Sequence, residues 1–155
     1  MILIVDSGST KSDWIAIDSK SGSYLFERQR TRGLNPAIIS KKEAFDIIAE
    51  NEILMKNKSK VEYVFFYGAG CGTIEAPKML KSVLKNIFSN AEVSVKEDTY
   101  AAIFSTVGVN KQAAVVCILG TGSNCTYFNG TEAEQRVVSL GYSIMDDASG
   151  NYFGR

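Results

Sequence analysis

Two stretches of the chain carry residue types that could bind and neutralise a polyphosphate. In the first, an apolar run from Ile2 ends at Asp6, the polar residues Ser7, Gly8, Ser9, Thr10, Lys11 and Ser12 follow, and a second apolar run starts at Trp14. A Gly-Ser-Thr turn offers backbone N–H groups, hydroxyls and an ammonium to an anion. Asp6, an acid where a strand would end, suits a Mg²⁺ ion held through water, because that ion gives up its waters reluctantly. Together these parts suit a nucleotide polyphosphate with its metal; the plainer reading is a polar hairpin turn. In the second stretch, Val115 to Phe128, another apolar run reaches Gly120, Thr121, Gly122 and Ser123 before a further strand-like run. Aligning Gly8 with Gly122 sets Val5 against Leu119, Ser9 against Ser123 and Asp6 against Gly120. The chain then reads either as an internal duplication, each half lending one loop to a shared cleft, or as a coincidental pair of Gly-rich hairpins. Asp98 stands between a strand-like run and a helical one, where an acid can cap the helix or accept a proton.

Composition narrows the chemistry. The chain has 155 residues, 17 Lys and Arg against 17 Asp and Glu, and no histidine. Zero net charge argues against a generic nucleic-acid or acidic-membrane surface while leaving room for a local basic pocket. Without histidine, Ser-His, Cys-His and His-metal chemistries are excluded, so a general base has to be Asp, Glu, Lys, Tyr or Cys. No apolar run approaches the roughly 18 residues of a spanning helix. The amino terminus lacks a basic region followed by a separate apolar one, so a cytoplasmic protein is expected. The three cysteines, Cys71, Cys117 and Cys125, have neither the paired spacing of a zinc site nor an even count for a disulfide framework. Cys117, inside the run Val115–Leu119, is expected to be a small buried hydrophobe.

The elements that must position these residues follow from periodicity and punctuation. Residues 2–6, 12–18 and 24–30 read as three short strands, an antiparallel meander. Gly33-Leu34-Asn35-Pro36 is a loop. Ser40 with Glu43 forms a capping box that opens a helical stripe running through Ala44, Ile47, Ile48, Leu54 and Met55. A strand over 61–67, a helix over 77–88, a strand around Val93 and Val95 and a helix over 99–107 complete a βββαβαβα order. Crossover helices place the fourth and fifth strands parallel to the first. Asp6, Gly68 and Asp98 then all fall at carboxyl ends of parallel strands, where ligands of such sheets bind. From Gln112 the pattern restarts, with strands over 113–119, 123–129 and 134–140. Residues 1–110 therefore read as one domain and 111–155 as the start of a second, similar one, in the amino-terminal part of a longer protein; the plainer reading extends the first sheet.

The ordered set of motifs resembles a known family. DSGSTKSDW at Asp6 to Trp14, GLNP at Gly33 to Pro36, YGAGCG at Tyr67 to Gly72, EDTYAA at Glu97 to Ala102, GTGSNC at Gly120 to Cys125 and MDDASGNYFG at Met145 to Gly154 are similar to the N-acetylglucosamine kinase and BadF/BadG/BcrA/BcrD ATPase family, within the sugar kinase, Hsc70 and actin superfamily. The resemblance implies a ribonuclease H-like α/β fold and ATP-dependent phosphorylation of an amino sugar of the N-acetylglucosamine or N-acetylmuramate type. It makes Asp98 the general base. Gly8, Ser9, Thr10 and Lys11 would contact phosphate from one side, Gly120, Thr121, Gly122 and Ser123 from the other, and Asp6 would orient Mg²⁺. Asn35, Gly68, Ala69, Gly70, Tyr142 and Asp147 would line the sugar site. The chain departs from the family pattern where Leu140-Gly141-Tyr142-Ser143 replaces Gly-Trp-Gly-His, and where Asp146 and Ala148 flank Asp147 in place of Gly and Glu, which bears on the choice of sugar. The expected cofactors are ATP and Mg²⁺ and the expected partner is a small sugar, with no nucleic acid and no membrane; homodimerisation stays open. The adenosine pocket would lie beyond residue 155, so this stretch alone is expected to be inactive. The fold also hosts ATPase activators of radical enzymes, and non-catalytic sugar-sensing modules. The first need a close cysteine pair, which Cys71 and Cys125 are not in sequence; the second can lose the phosphate loops that this chain keeps.

Overall fold

The computed structural model describes residues 1–108, 112–119, 123–134 and 149–154. They fall into two compact units, Met1–Asp98 and Thr99–Arg155.

The first unit is built on strands β1 (Ile2–Ser7), β2 (Lys11–Ile17), β3 (Gln29–Arg32), β4 (Tyr63–Gly68) and β5 (Glu92–Glu97). They form one sheet in the order β3-β2-β1-β4-β5. Its first three strands are antiparallel, whereas β4 and β5 run parallel to β1. This is the mixed α/β sheet that the strand and helix order predicts, and it fits the ribonuclease H-like fold that the resemblance implies. Side chains alternate across a strand, so Leu3, Val5 and Ser7 of β1 and Ser12, Trp14 and Ala16 of β2 share the buried face. Helices α1 (Lys41–Ala49), α2 (Glu52–Asn57) and α3 (Glu75–Ile87) contribute Ala44, Ile47, Ile48, Leu54, Leu80, Val83, Leu84 and Ile87 to the same core.

Two sequence expectations are corrected in this unit. The single helical stripe from Ser40 to Met55 is broken at Asn51. That residue is extended (φ −88°, ψ 103°), and its side chain accepts a hydrogen bond from the Leu54 N–H to start a new helix. A short polar side chain competes with the backbone in this way and favours a cap over a helix interior. The Ser40–Glu43 capping box is present as expected, and it holds the Glu43 carboxyl below its usual range through hydrogen bonds from Ser40. The third strand does not span 24–30 either. Tyr24 makes only an isolated bridge to Ile17, and β3 pairs with Lys11–Trp14, the end of β2 beside the hairpin turn. There Asp13 draws in Arg30 at 2.9 Å and Arg28 at 3.8 Å.

The second unit contains α4 (Thr99–Val107), β6 (Ala114–Leu119), β7 (Ser123–Phe128), β8 (Ala133–Glu134) and α5 (Gly150–Phe153). Its strands form an antiparallel sheet in the order β6-β7-β8. Ile103, Val116 and Phe128 form its buried core, and Phe104 meets Phe128 edge-on with ring centroids 6.3 Å apart. Most of the strand expected over 134–140 lies outside the described residues. Among those described, no helix is long and apolar enough to cross a membrane.

Candidate active site

In the first unit, the carboxyl ends of the three parallel strands are held level by backbone bonds that continue past them. The Ala69 N–H donates to the Ser7 carbonyl at 2.9 Å, and the Asp98 N–H to the Gly68 carbonyl at 3.3 Å. Beside this edge lies a cleft of about 310 Å³ lined by Asp6, Gly8, Ser9, Thr10, Lys11 and Asp98, with Ser7 and Asp13. Residues far apart in sequence, the 6–11 turn and Asp98, therefore face one space.

The turn is braced from beneath by a chain of hydroxyls. The Leu34 N–H donates to Ser7 Oγ at 3.0 Å, Ser7 and Ser12 hydroxyls share a bond of 2.7 Å, and Ser12 Oγ donates to the Arg32 carbonyl at 3.2 Å. Ser7 Oγ also lies 3.3 Å from the Gly8 carbonyl, so each of the two hydroxyls has a backbone acceptor besides the other serine. Both serines are fully buried, and a buried hydroxyl is tolerated because it is hydrogen-bonded. The segment after β3 is thus tied to the β1–β2 turn. The Gly33 N–H adds a bond to the Thr10 carbonyl at 2.9 Å. A Cβ at Gly33 would run into the Gly8 and Ser9 backbone, so only glycine permits this approach.

Asn35 extends the bracing. Its Nδ2 donates to Ser9 Oγ at 2.8 Å and its Oδ1 accepts from the Ala37 N–H at 2.9 Å. The second bond is the Asx turn that an Asn before Pro predicts; the first fixes the Ser9 hydroxyl of the β1–β2 turn. Gly70, with φ +77°, leaves no room for a Cβ because Asn35 Oδ1 occupies that place. The sequence-predicted Asn35 and Gly70 therefore meet each other and, through Ser9, the turn.

Charges at the site are distributed unevenly. Asp13 is ill suited to accept a proton: its carboxyl is held below the usual range, first by the hydrogen bond from Arg30 and then by the charges of Arg30, Arg28 and Lys11. Burial, reinforced by the negative charges of Asp98 and Glu97, pushes the Cys71 thiol up to about 11. Such a thiol stays protonated at neutral pH, which removes Cys71 from the general bases that the composition left open. Lys11 is well exposed, with its ammonium 3.9 Å from Asp13. Among the described residues no three Asp, Glu, Cys or His side chains cluster as a metal cage.

Sequence reasoning missed the roles of Ser7, Ser12 and Gly33. The signal was available: Ser7 continues the inward alternation of Leu3 and Val5, so its hydroxyl had to be buried and bonded. Cys117 is also corrected. It is exposed, not buried, because β6 buries Val116 and turns Val115, Cys117 and Leu119 outward. In the second unit Ser123 opens β7 opposite Leu119. Gly120, Thr121, Gly122, Tyr142 and Asp147 lie outside the described residues. The cross-strand register also differs from the sequence alignment of the two hairpins. Ser7 pairs with Ser12 across four residues in the first, and Leu119 with Ser123 across three in the second, so Ser9 stands in a turn and Ser123 in a strand.

No family model and no curated protein matches the chain. Solved structures do. A candidate N-acetylglucosamine kinase from Porphyromonas gingivalis is 37% identical with a TM-score of 0.83, over 97% of this chain and 52% of that one. A candidate sugar kinase from Cytophaga hutchinsonii is 13% identical with a TM-score of 0.59, over 94% of this chain and 52% of that one. The inorganic polyphosphate/ATP-glucomannokinase of an Arthrobacter strain is 18% identical with a TM-score of 0.57, over 97% of this chain and 66% of that one. The last two share the fold alone. The chain thus spans about half the length of the first two structures, and its fold is the one seen in these sugar kinases.

Proposed function

We propose that this chain carries the acceptor and phosphate side of an ATP-dependent sugar kinase acting on an N-acetylated amino sugar, of the N-acetylglucosamine or N-acetylmuramate type. The observation that carries the reading is the single cleft that gathers Asp6, the Gly8–Lys11 turn and Asp98 at one sheet edge. The likeness to the Porphyromonas gingivalis protein, at 37% identity, supports the class of sugar.

Phosphoryl transfer asks a protein mainly for positioning and charge neutralisation. In this reading the Asp98 carboxylate would accept the proton of the sugar hydroxyl as the hydroxyl oxygen bonds to phosphorus and the phosphorus–oxygen bond to the departing ADP breaks. The backbone N–H groups of the turn, the Ser9 and Thr10 hydroxyls and the Lys11 ammonium stabilise the charge that builds on the phosphoryl oxygens. Asp6 would hold the waters of a Mg²⁺ ion, which would help neutralise the phosphates. ATP bound with that ion supplies the phosphoryl group. By the resemblance, Gly120, Thr121, Gly122 and Ser123 would contact the phosphates, and Asn35, Gly68, Ala69, Gly70, Tyr142 and Asp147 would line the sugar. Asn35 keeps one amide hydrogen and one carbonyl lone pair for that task beyond its bonds to Ser9 and Ala37.

The test is coupled ADP release by the protein at its full natural length, with Mg-ATP and a panel of amino sugars and hexoses. Sugar-dependent release is expected. The Asp98→Asn variant should lower kcat by about 10²- to 10⁴-fold, the usual contribution of a general base, with sugar binding retained. ADP release without any sugar would replace the kinase by an ATPase. Sugar binding without turnover would leave a sensing module.

A further inference from the structure

We propose that Cys117 and Cys125 form a dithiol site that closes to an internal disulfide on exposure to a low-molecular-weight disulfide oxidant. The two residues are direct cross-strand partners in the β6–β7 ladder. Their sulfurs are 3.1 Å apart and both side chains are exposed. Partners placed directly opposite in an antiparallel pair have Cα atoms about 4.5–5.5 Å apart, inside the window of about 4.4–6.8 Å that a disulfide requires. The sulfurs need to approach by only about 1 Å to reach bonding distance. Chance exposure would leave each thiol alone; here the ladder holds each at the other's position, so the second step of exchange is intramolecular.

The chemistry balances with glutathione disulfide as oxidant. One protein thiolate attacks a glutathione sulfur, the glutathione S–S bond breaks, and a mixed disulfide forms as glutathione thiolate leaves. The second protein sulfur then attacks the first, a Cys117–Cys125 bond forms, and a second glutathione leaves. The two thiol protons pass to the two glutathione thiolates. The protein loses two electrons and glutathione disulfide gains them.

Cys71 is the built-in control. It is buried, and its thiol is pushed up to about 11, so it should not react under the same conditions. The site stands on the second unit alone and does not depend on the kinase reading. Its consequence is local: the bond would clamp the two strands that lead into and out of residues 120–122.

The experiment treats the 155-residue chain with glutathione disulfide at neutral pH, without denaturant, followed by thiol counting and intact and peptide mass spectrometry. The expected result is the loss of two of the three thiols, a mass lower by two hydrogens, a linked Cys117–Cys125 peptide and an alkylatable Cys71. In the Cys117→Ser variant the same treatment should give a stable glutathione adduct at Cys125 and no linked peptide. The proposal is overturned by glutathione adducts on both cysteines of the unsubstituted chain. Disulfide-linked dimers in place of the internal bond, or three thiols left unreacted, overturn it equally.

Discussion

The two β-hairpins, β1–β2 and β6–β7, are built from similar sequence and are held in different ways. The first turns two serines inward and ties them to the Arg32 carbonyl and the Leu34 N–H, so that a distant segment fixes the turn. The second turns two cysteines outward and buries Val116, Thr126 and Phe128. The surroundings differ as much. The first hairpin sits in a core of twenty buried apolar residues, and the core described around the second has three. The anion-holding role proposed for the first turn would benefit from fixed N–H groups, since preorganised dipoles cost no rearrangement when charge develops. The first hairpin has that rigidity from its own unit, and the described part of the second has far less apolar burial from which to obtain it.

The largest expected effect separates the two cores. Phe66→Ala should destabilise the first unit by about 3–5 kcal/mol. The single Trp, Trp14, is fully buried in that unit, so urea unfolding followed by its fluorescence reads the change. Phe128→Ala should leave the Trp14 transition where it was. One transition displaced alike by both variants would show that the cores unfold together and would dissolve the contrast.

A middle-sized effect probes the hydroxyl chain. Ser7→Ala removes the acceptor of a buried N–H and the hydroxyl partner of Ser12 at once, and should cost about 1–3 kcal/mol. The urea midpoint should fall with the slope unchanged. An unaltered midpoint would mean that the bracing contributes nothing.

The smallest effect concerns pH. The Asp13 carboxyl is lowered by Arg30, so its contribution to stability is present above the ordinary carboxylate range and fades as pH falls through the lowered value. The gap in melting temperature between the unsubstituted chain and Arg30→Ala should therefore be steady near pH 7 and close below about pH 4. A gap that persists in acid would assign the effect of Arg30 to packing rather than charge.

Much of the first unit was legible because its signals were local. The β1 and β4 runs, the Ser40–Glu43 box and the α3 stripe each declare their element through a few neighbouring residues. So were the strand-end positions of Asp6, Gly68 and Asp98, since a βαβ order dictates which ends coincide. The helix break at Asn51 was hidden because an apolar stripe can continue across a cap. The bracing by Ser7 and Ser12 depended on which face of a strand looks inward, and the pairing of Cys117 with Cys125 on the register of a hairpin. A run such as Val115–Leu119 is apolar throughout, and its pattern alone does not say which face is covered.

The Leu34 amide offers a clock for the site. Its hydrogen is bonded to a side chain and not to a ladder, in a residue that is fully buried. Exchange of that hydrogen with deuterated solvent requires the Ser7 hydroxyl to let go, whereas amides within β1 and β4 wait for the sheet itself to open. Read by NMR against its neighbours, Leu34 would time the breathing of the β1–β2 turn separately from the unfolding of the chain.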